Sequence, residues 1–269
     1  MTTIGMIGVG NMGSAIAKAI LNAGYSMILH NRTKEKLHSF AEEVDAEVEV
    51  VDSVADLIQH SDIIYIGVKP HQYPQIFEQL NEFISSSQTK VWVSMAAGLK
   101  LDQLTQLTPS NHHWIRTMPN TPVEIGQGYI AYCHTPNISQ DSLQMFEESL
   151  VLAGVVEQVD ESLFNAVTGL AGSGPAFIYQ LIEAMSDAGV NYGLPREMSR
   201  KMAAQTVKGA ASVVLETGQH PSELKDKVTS PGGTTIKGIV ALEHAGFKSA
   251  IIQAVSAAVE KSIQMEVKS

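Results

Sequence analysis

Gly8-Val9-Gly10-Asn11-Met12-Gly13 follows the apolar run Thr3-Ile4-Gly5-Met6-Ile7 and leads into Ser14-Ala15-Ile16-Ala17. The spacing G-x-G-x-x-G is weak by itself. Between a first strand and a first helix, at the start of a βαβ unit, it marks the phosphate-binding turn of a dinucleotide fold. Gly8 permits the tight turn, Gly10 lets the backbone approach a pyrophosphate, and Gly13 lets helix and strand pack closely. Val9, Asn11 and Met12 complete the turn and belong to the same expected cofactor site.

Outward from this turn, short apolar runs alternate with amphipathic stretches, the mark of a parallel sheet flanked by helices. Strands are expected at 3–8, 26–30, 47–51, 62–68, 90–94 and 113–117, with helices at 12–23, 34–43, 55–59, 73–84 and 101–107. A less regular piece adds a strand at 128–132, a helix at 140–153 and a strand at 155–159. Beyond about residue 160 the strand-like runs vanish. Helices are expected at 175–190, 195–216, 235–245 and 249–266, and Ala203, Ala204, Val207, Ala210, Ala211 and Val214 trace an apolar face of small side chains. The predicted fold is an α/β Rossmann-type doubly wound domain over 1–160, followed by an all-α domain over 161–269.

The end of the second strand decides which dinucleotide binds. Sites that prefer NAD place an acid there for the ribose 2′-OH. Here Ile28-Leu29-His30 runs into Asn31-Arg32-Thr33 with no acid. Arg32 either meets a 2′-phosphate, with Asn31 and Thr33 as neutral donors, or is an exposed loop arginine. The first reading favours NADPH and still admits NADH. Val68-Lys69-Pro70 and Ala96-Ala97-Gly98 fall at the carboxyl ends of later strands, where ligands bind in doubly wound sheets, and join the cofactor set. Asn120, in the corner Arg116-Thr117-Met118-Pro119-Asn120-Thr121-Pro122, either bonds the nicotinamide edge or substrate, or caps its turn.

Ser230-Pro231-Gly232-Gly233-Thr234-Thr235 precedes a helical stretch. Its glycines let N–H groups converge, and a helix start adds free donors, so the loop can hold a small carboxylate without a charged side chain. The plainer alternative is a Ser/Thr-rich cap. A formal charge of −10 argues against nucleic-acid or anionic-membrane partners. With 44% hydrophobic and only 17% charged residues, some apolar surface is expected between subunits. Cys133 is the only cysteine, and no metal-ligand spacing appears. No apolar run reaches membrane-spanning length, and a cytoplasmic location is expected. There is no obvious acid/base pair, which disfavours ketone reduction and suits an iminium that already carries its proton.

These features together resemble the pyrroline-5-carboxylate reductase family. The resemblance rests on Leu224-Lys225-Asp226-Lys227-Val228-Thr229-Ser230-Pro231-Gly232-Gly233-Thr234-Thr235, on Val167-Thr168-Gly169-Leu170-Ala171-Gly172-Ser173-Gly174-Pro175-Ala176, on Gly193-Leu194-Pro195, on Val68-Lys69-Pro70-His71 and on the 116–122 corner. It implies NAD(P)H-dependent reduction of (S)-1-pyrroline-5-carboxylate, a cyclic imino acid, to L-proline. It also implies a homodimer through the C-terminal helices, with assembly beyond the dimer left open, and active sites between one subunit's cofactor and helices of the dimer. Carried onto this chain, Ser230, Gly232, Gly233 and Thr234 hold the substrate carboxylate, and Thr235, the expected catalytic residue, sets its hydroxyl against the ring nitrogen. Two alternatives remain. A 3-hydroxyacid dehydrogenase would carry a lysine after its interdomain glycines, and none occurs from Gly172 to Val190. A non-catalytic dinucleotide-binding regulatory paralogue would have no use for the loop hydroxyls.

Overall fold

The computed structural model describes residues 3–44 and 48–266. An eight-stranded sheet runs in the order β3-β2-β1-β4-β5-β6-β7-β8. In chain order the strands are β1 (Ile4–Ile7), β2 (Met27–His30), β3 (Val48–Val50), β4 (Ile63–Ile66), β5 (Val91–Ser94), β6 (His113–Pro119), β7 (Gly128–His134) and β8 (Gly154–Gln158). The first six are parallel, and their order is that of a doubly wound dinucleotide fold. β7 turns back antiparallel to β6, and β8 runs parallel to β7.

The helices of this part are α1 (Asn11–Asn22), α2 (Lys34–Glu43), α3 (Val54–His60), α4 (Tyr73–Ser86), α5 (Leu101–Thr105), α6 (Gln140–Ser149) and α7 (Phe164–Val167). Strands buried on both faces need cover on both. One apolar cluster joins Met6, Leu29, Tyr65 and Val93 to Ile16 and Ile20 of α1 and Phe146 of α6. The opposite cluster joins Ile28, Ile64, Trp92 and Trp114 to Leu57 of α3 and Phe77 of α4. Alternate residues of each strand feed the two layers, as the pleat requires.

Most expected elements appear within one or two residues of their bounds. α6 ends at Ser149 rather than 153, because residues 150–153 turn into Gly154, where φ is +131°. β6 extends past 117 because Met118 and Pro119 pair with Ala131 and Ile130 of β7. Glu47, at the start of the expected third strand, lies outside the described residues.

The chain divides into two compact units, one of Met1–Gly172 with Ala258–Ser269, the other Ser173–Ala257. The second unit is wholly helical, with α8 (Gly174–Asn191), α9 (Arg196–Thr217), α10 (Pro221–Lys227), α11 (Thr234–His244) and most of α12 (Phe247–Glu266). The short α10 was not anticipated, and Pro221 at its first turn was the available signal. Within the single chain, α9 buries only Ser199 and Ala203, and α11 buries nothing.

Candidate active site

The glycine turn sits where β1 passes into α1. Gly8 takes φ +95°, a conformation that L side chains rarely adopt, and its N–H donates to His30 O at 2.8 Å. A Cβ on Gly13 would come within 2.3 Å of Gly8 O, so only glycine lets the helix approach this closely. Gly10 differs: its Cβ would meet nothing nearer than Gly67 O at 4.0 Å, so the bare backbone faces open space. Gly10 is also the N-cap of α1, with no side-chain cap and no acid in the first turn. Uncapped donors, a positive dipole end and a bare backbone fit a pyrophosphate.

That open space is a cleft of about 580 Å³ lined by residues of the first unit alone, among them Gly8, Val9, Gly10, Arg32, Gly67, Val68 and Lys69. Its size suits a cofactor. Asn31 ties its two sides together, accepting from Val9 N at 3.2 Å and donating to Thr33 O at 2.9 Å. The Val9 N–H is therefore spent within the fold. Arg32 and Thr33 are exposed, and the Arg32 guanidinium has no hydrogen bond or ion pair among the described residues. Sequence reasoning missed Gly67, His30, Lys34 and Asp52, which line the same cleft. Gly67 had a readable signal, a glycine at the end of an apolar strand; the others had none.

The next strand ends are held by a buried hydroxyl chain. Tyr73 OH donates to Ile66 O at 3.3 Å and pairs with Ser94 Oγ at 2.9 Å, while Ala96 N donates to that Oγ at 3.3 Å. Burial pushes the Tyr73 phenol well above its usual range, outweighing the opposing hydrogen bond with Ser94, so it stays protonated. Ala96 is buried, Ala97 half-buried, and Gly98 takes φ +89°. Lys69 is exposed; its backbone N–H donates to Gln72 Oε1 at 3.1 Å. Asn120 accepts from Tyr129 N at 2.9 Å and donates to Ala171 O at 3.1 Å, so its amide clamps the corner to the π-helical turn Thr168–Gly172.

In the second unit, loop 230–235 leads into α11. Gly232 takes φ +68°, and Gly233 N donates to Ser230 O at 3.1 Å, closing a tight turn. Gly233 is the N-cap of α11, with no side-chain cap and no acid in the first turn. The hydroxyls of Ser230, Thr234 and Thr235 have no partner among the described residues, and all three residues are exposed. A cap built only to stop the helix would have spent one of them on an α11 N–H. The loop is thus a neutral set of main-chain and hydroxyl donors able to take a small anion.

The sheet order and the cleft define a dinucleotide-binding protein of the doubly wound class. Residues 161–265 match the family described as "Pyrroline-5-carboxylate reductase dimerisation", and residues 3–98 match "NADP oxidoreductase coenzyme F420-dependent". The chain is 38% identical to a pyrroline-5-carboxylate reductase of Glycine max, covering 98% of this chain and 96% of the relative. It is 36% identical to that of Escherichia coli, with 96% of each covered. Among solved structures, the Plasmodium falciparum pyrroline carboxylate reductase with NADP bound superposes with a TM-score of 0.86 at 32% identity, covering 98% of both chains. The Coxiella burnetii enzyme gives 0.88 at 31% identity, again over 98% of both. An imine reductase from Pseudomonas sp., at 16% identity and TM-score 0.58, shares the fold. The chain belongs to the pyrroline-5-carboxylate reductase family.

Proposed function

We infer that this chain reduces (S)-1-pyrroline-5-carboxylate to L-proline, the last step of proline synthesis, with NADPH as the preferred cofactor and NADH also accepted. The observation that carries the reading is loop 230–235: three hydroxyls without a partner among the described residues, at an uncapped helix start, in a chain that matches the family over 98% of its length. When bound, the reduced nicotinamide supplies a hydride. Gly8, Gly10, Asn11, Met12 and Gly13 form the pyrophosphate turn, with Val9 braced by Asn31. Arg32 and Thr33 take the 2′-phosphate. Val68, Lys69, Pro70, Ala96, Ala97 and Gly98 line the nicotinamide ribose, and Asn120 keeps that corner in place.

Ser230, Gly232, Gly233 and Thr234 hold the substrate carboxylate. Thr235 Oγ1 accepts from the ring iminium N–H and fixes which ring face is presented. No general acid is needed, because the iminium arrives protonated and leaves as the amine. Holding the imine carbon in an attack geometry does most of the work.

The second unit supports a homodimer through its helices, since Met202, Val213, Leu215, Val240 and Ile252 are exposed in the single chain. One buried cysteine and no disulfide suit a reducing compartment, and we place the reaction in the cytoplasm. The decisive assay is NADPH oxidation by purified protein with pyrroline-5-carboxylate or its six-membered homologue. We expect the five-membered ring to be preferred by about tenfold or more in kcat/KM. No turnover of either ring, with oxidation of a 3-hydroxyacid instead, would overturn the assignment.

A further inference from the structure

The open side of the dinucleotide cleft carries an uneven charge arrangement. His30, Arg32, Lys34 and Lys36 line it together with a single acid, Asp52. Sites that prefer NAD set their acid at the end of β2. Here the acid enters from the neighbouring strand: β2 and β3 pair with Leu29 beside Val50, and Asp52 stands two residues beyond. Lys34 Nζ donates to Asp52 Oδ1 at 2.6 Å. Arg32 and Lys36 have no such partner among the described residues. One of the cations available to a phosphate at the β2 loop is therefore held by the only acid that lines the cleft among the described residues.

We propose that the Lys34–Asp52 ion pair sets the cofactor preference of this chain. Asp52 holds Lys34 away from a ribose 2′-phosphate and opposes the phosphate's charge, so the cleft favours NADPH less than its basic residues alone would dictate. The pair is open to solvent, with side-chain exposures of 66% and 81%. Such pairs are weak and exchange readily, so a bound phosphate competes for Lys34 rather than being shut out. Retained access for NADH follows from the same balance. This rests on the reading that the cleft binds a dinucleotide with its adenosine ribose at the β2 loop.

Calorimetric titration of the intact protein with 2′,5′-ADP and with 5′-AMP separates the phosphate from the rest of the adenosine. Asp52→Asn should tighten 2′,5′-ADP by about three- to tenfold at low salt while changing 5′-AMP by less than about twofold, and the gain should shrink as salt is added. Lys34→Met should cost less than about twofold in the parent but should remove the gain in the Asp52→Asn background. Both side chains are exposed, so the variants keep their fold. If Asp52→Asn leaves 2′,5′-ADP unchanged or weaker, tightens both nucleotides alike, or keeps its gain without Lys34, the inference is wrong while the cleft's assignment stands. If the parent protein binds no 2′,5′-ADP at all, the reading of the cleft falls and the inference with it.

Discussion

Thr235 and Arg32 are both exposed side chains without a partner among the described residues, and each is predicted to act on a different part of the reaction. Thr235→Ala removes the hydroxyl proposed above to meet the ring nitrogen. Turnover should fall by about ten- to hundredfold, with NADPH affinity little changed in a fluorescence titration. Full activity would sink the role given to it. Arg32→Ala removes the guanidinium proposed to meet the 2′-phosphate, and KM for NADPH should rise by about tenfold with KM for NADH nearly constant. An unchanged ratio would show that Arg32 does not read the phosphate. Gly13→Ala acts through sterics alone, because the added Cβ would stand 2.3 Å from a backbone oxygen that cannot swing aside. It should cost about 1–3 kcal/mol by thermal unfolding and weaken the cofactor through the displaced turn. The glycine roles were readable because each follows from spacing inside a strand-turn-helix unit. Side-chain bonding was not readable: nothing in Asn31 or Asn120 as letters says that their amides are spent on Val9, Thr33, Tyr129 and Ala171.

At the scale of elements, sheet order and helix positions followed from periodicity, because buried parallel strands and amphipathic helices leave strong local patterns. What periodicity cannot carry is pairing between distant residues, and the main instance lies within the first unit. Arg116 on β6 is buried, donates to Glu161 Oε1 and Glu266 Oε1 at 2.8 Å each, and stands 4.4 Å over the Phe164 ring. Glu266, at the end of α12, also accepts from Asn165 Nδ2 at 2.9 Å and lies 3.4 Å from Lys100 Nζ. These partners are spread over the chain, and no motif links them. Breaking such a buried group by Arg116→Met should cost about 3–5 kcal/mol, because Glu161 loses its counter-ion and Glu266 the nearer of its two. Burial alone would raise the Glu266 carboxyl, but the bonds from Arg116 and Asn165 outweigh it and hold it below its usual range. A lowered carboxylate pKa stabilises the fold fully above the unfolded value of about 4.3 and is lost as pH falls below it. Melting temperature should therefore drop on acidification from pH 5 toward 3, and Glu266→Gln should flatten that drop. An identical acid profile in the variant would show that other carboxylates control it.

For the whole molecule, the two units differ in how much of their own apolar surface they cover. The first closes two apolar layers over its sheet. The second, in one chain, leaves α9 with two small buried residues over a 22-residue span, while Leu215 is 82% exposed. Helical stability in proteins comes mostly from packing an apolar face, so helices like these need a partner surface. A second copy supplies one, in keeping with the dimerisation family that residues 161–265 match. The double substitution Val213→Asp with Leu215→Asp places two charges on that face of α9. Sedimentation equilibrium should show the dimer dissociating at micromolar protein, with loss of pyrroline-5-carboxylate reduction. Because the dinucleotide cleft is lined by the first unit alone, 2′,5′-ADP binding should survive in the same sample. Loss of both would mean that the chain had unfolded, which circular dichroism would register. An intact, active dimer would show that this part of α9 faces solvent in the assembly and that the helices associate through another surface.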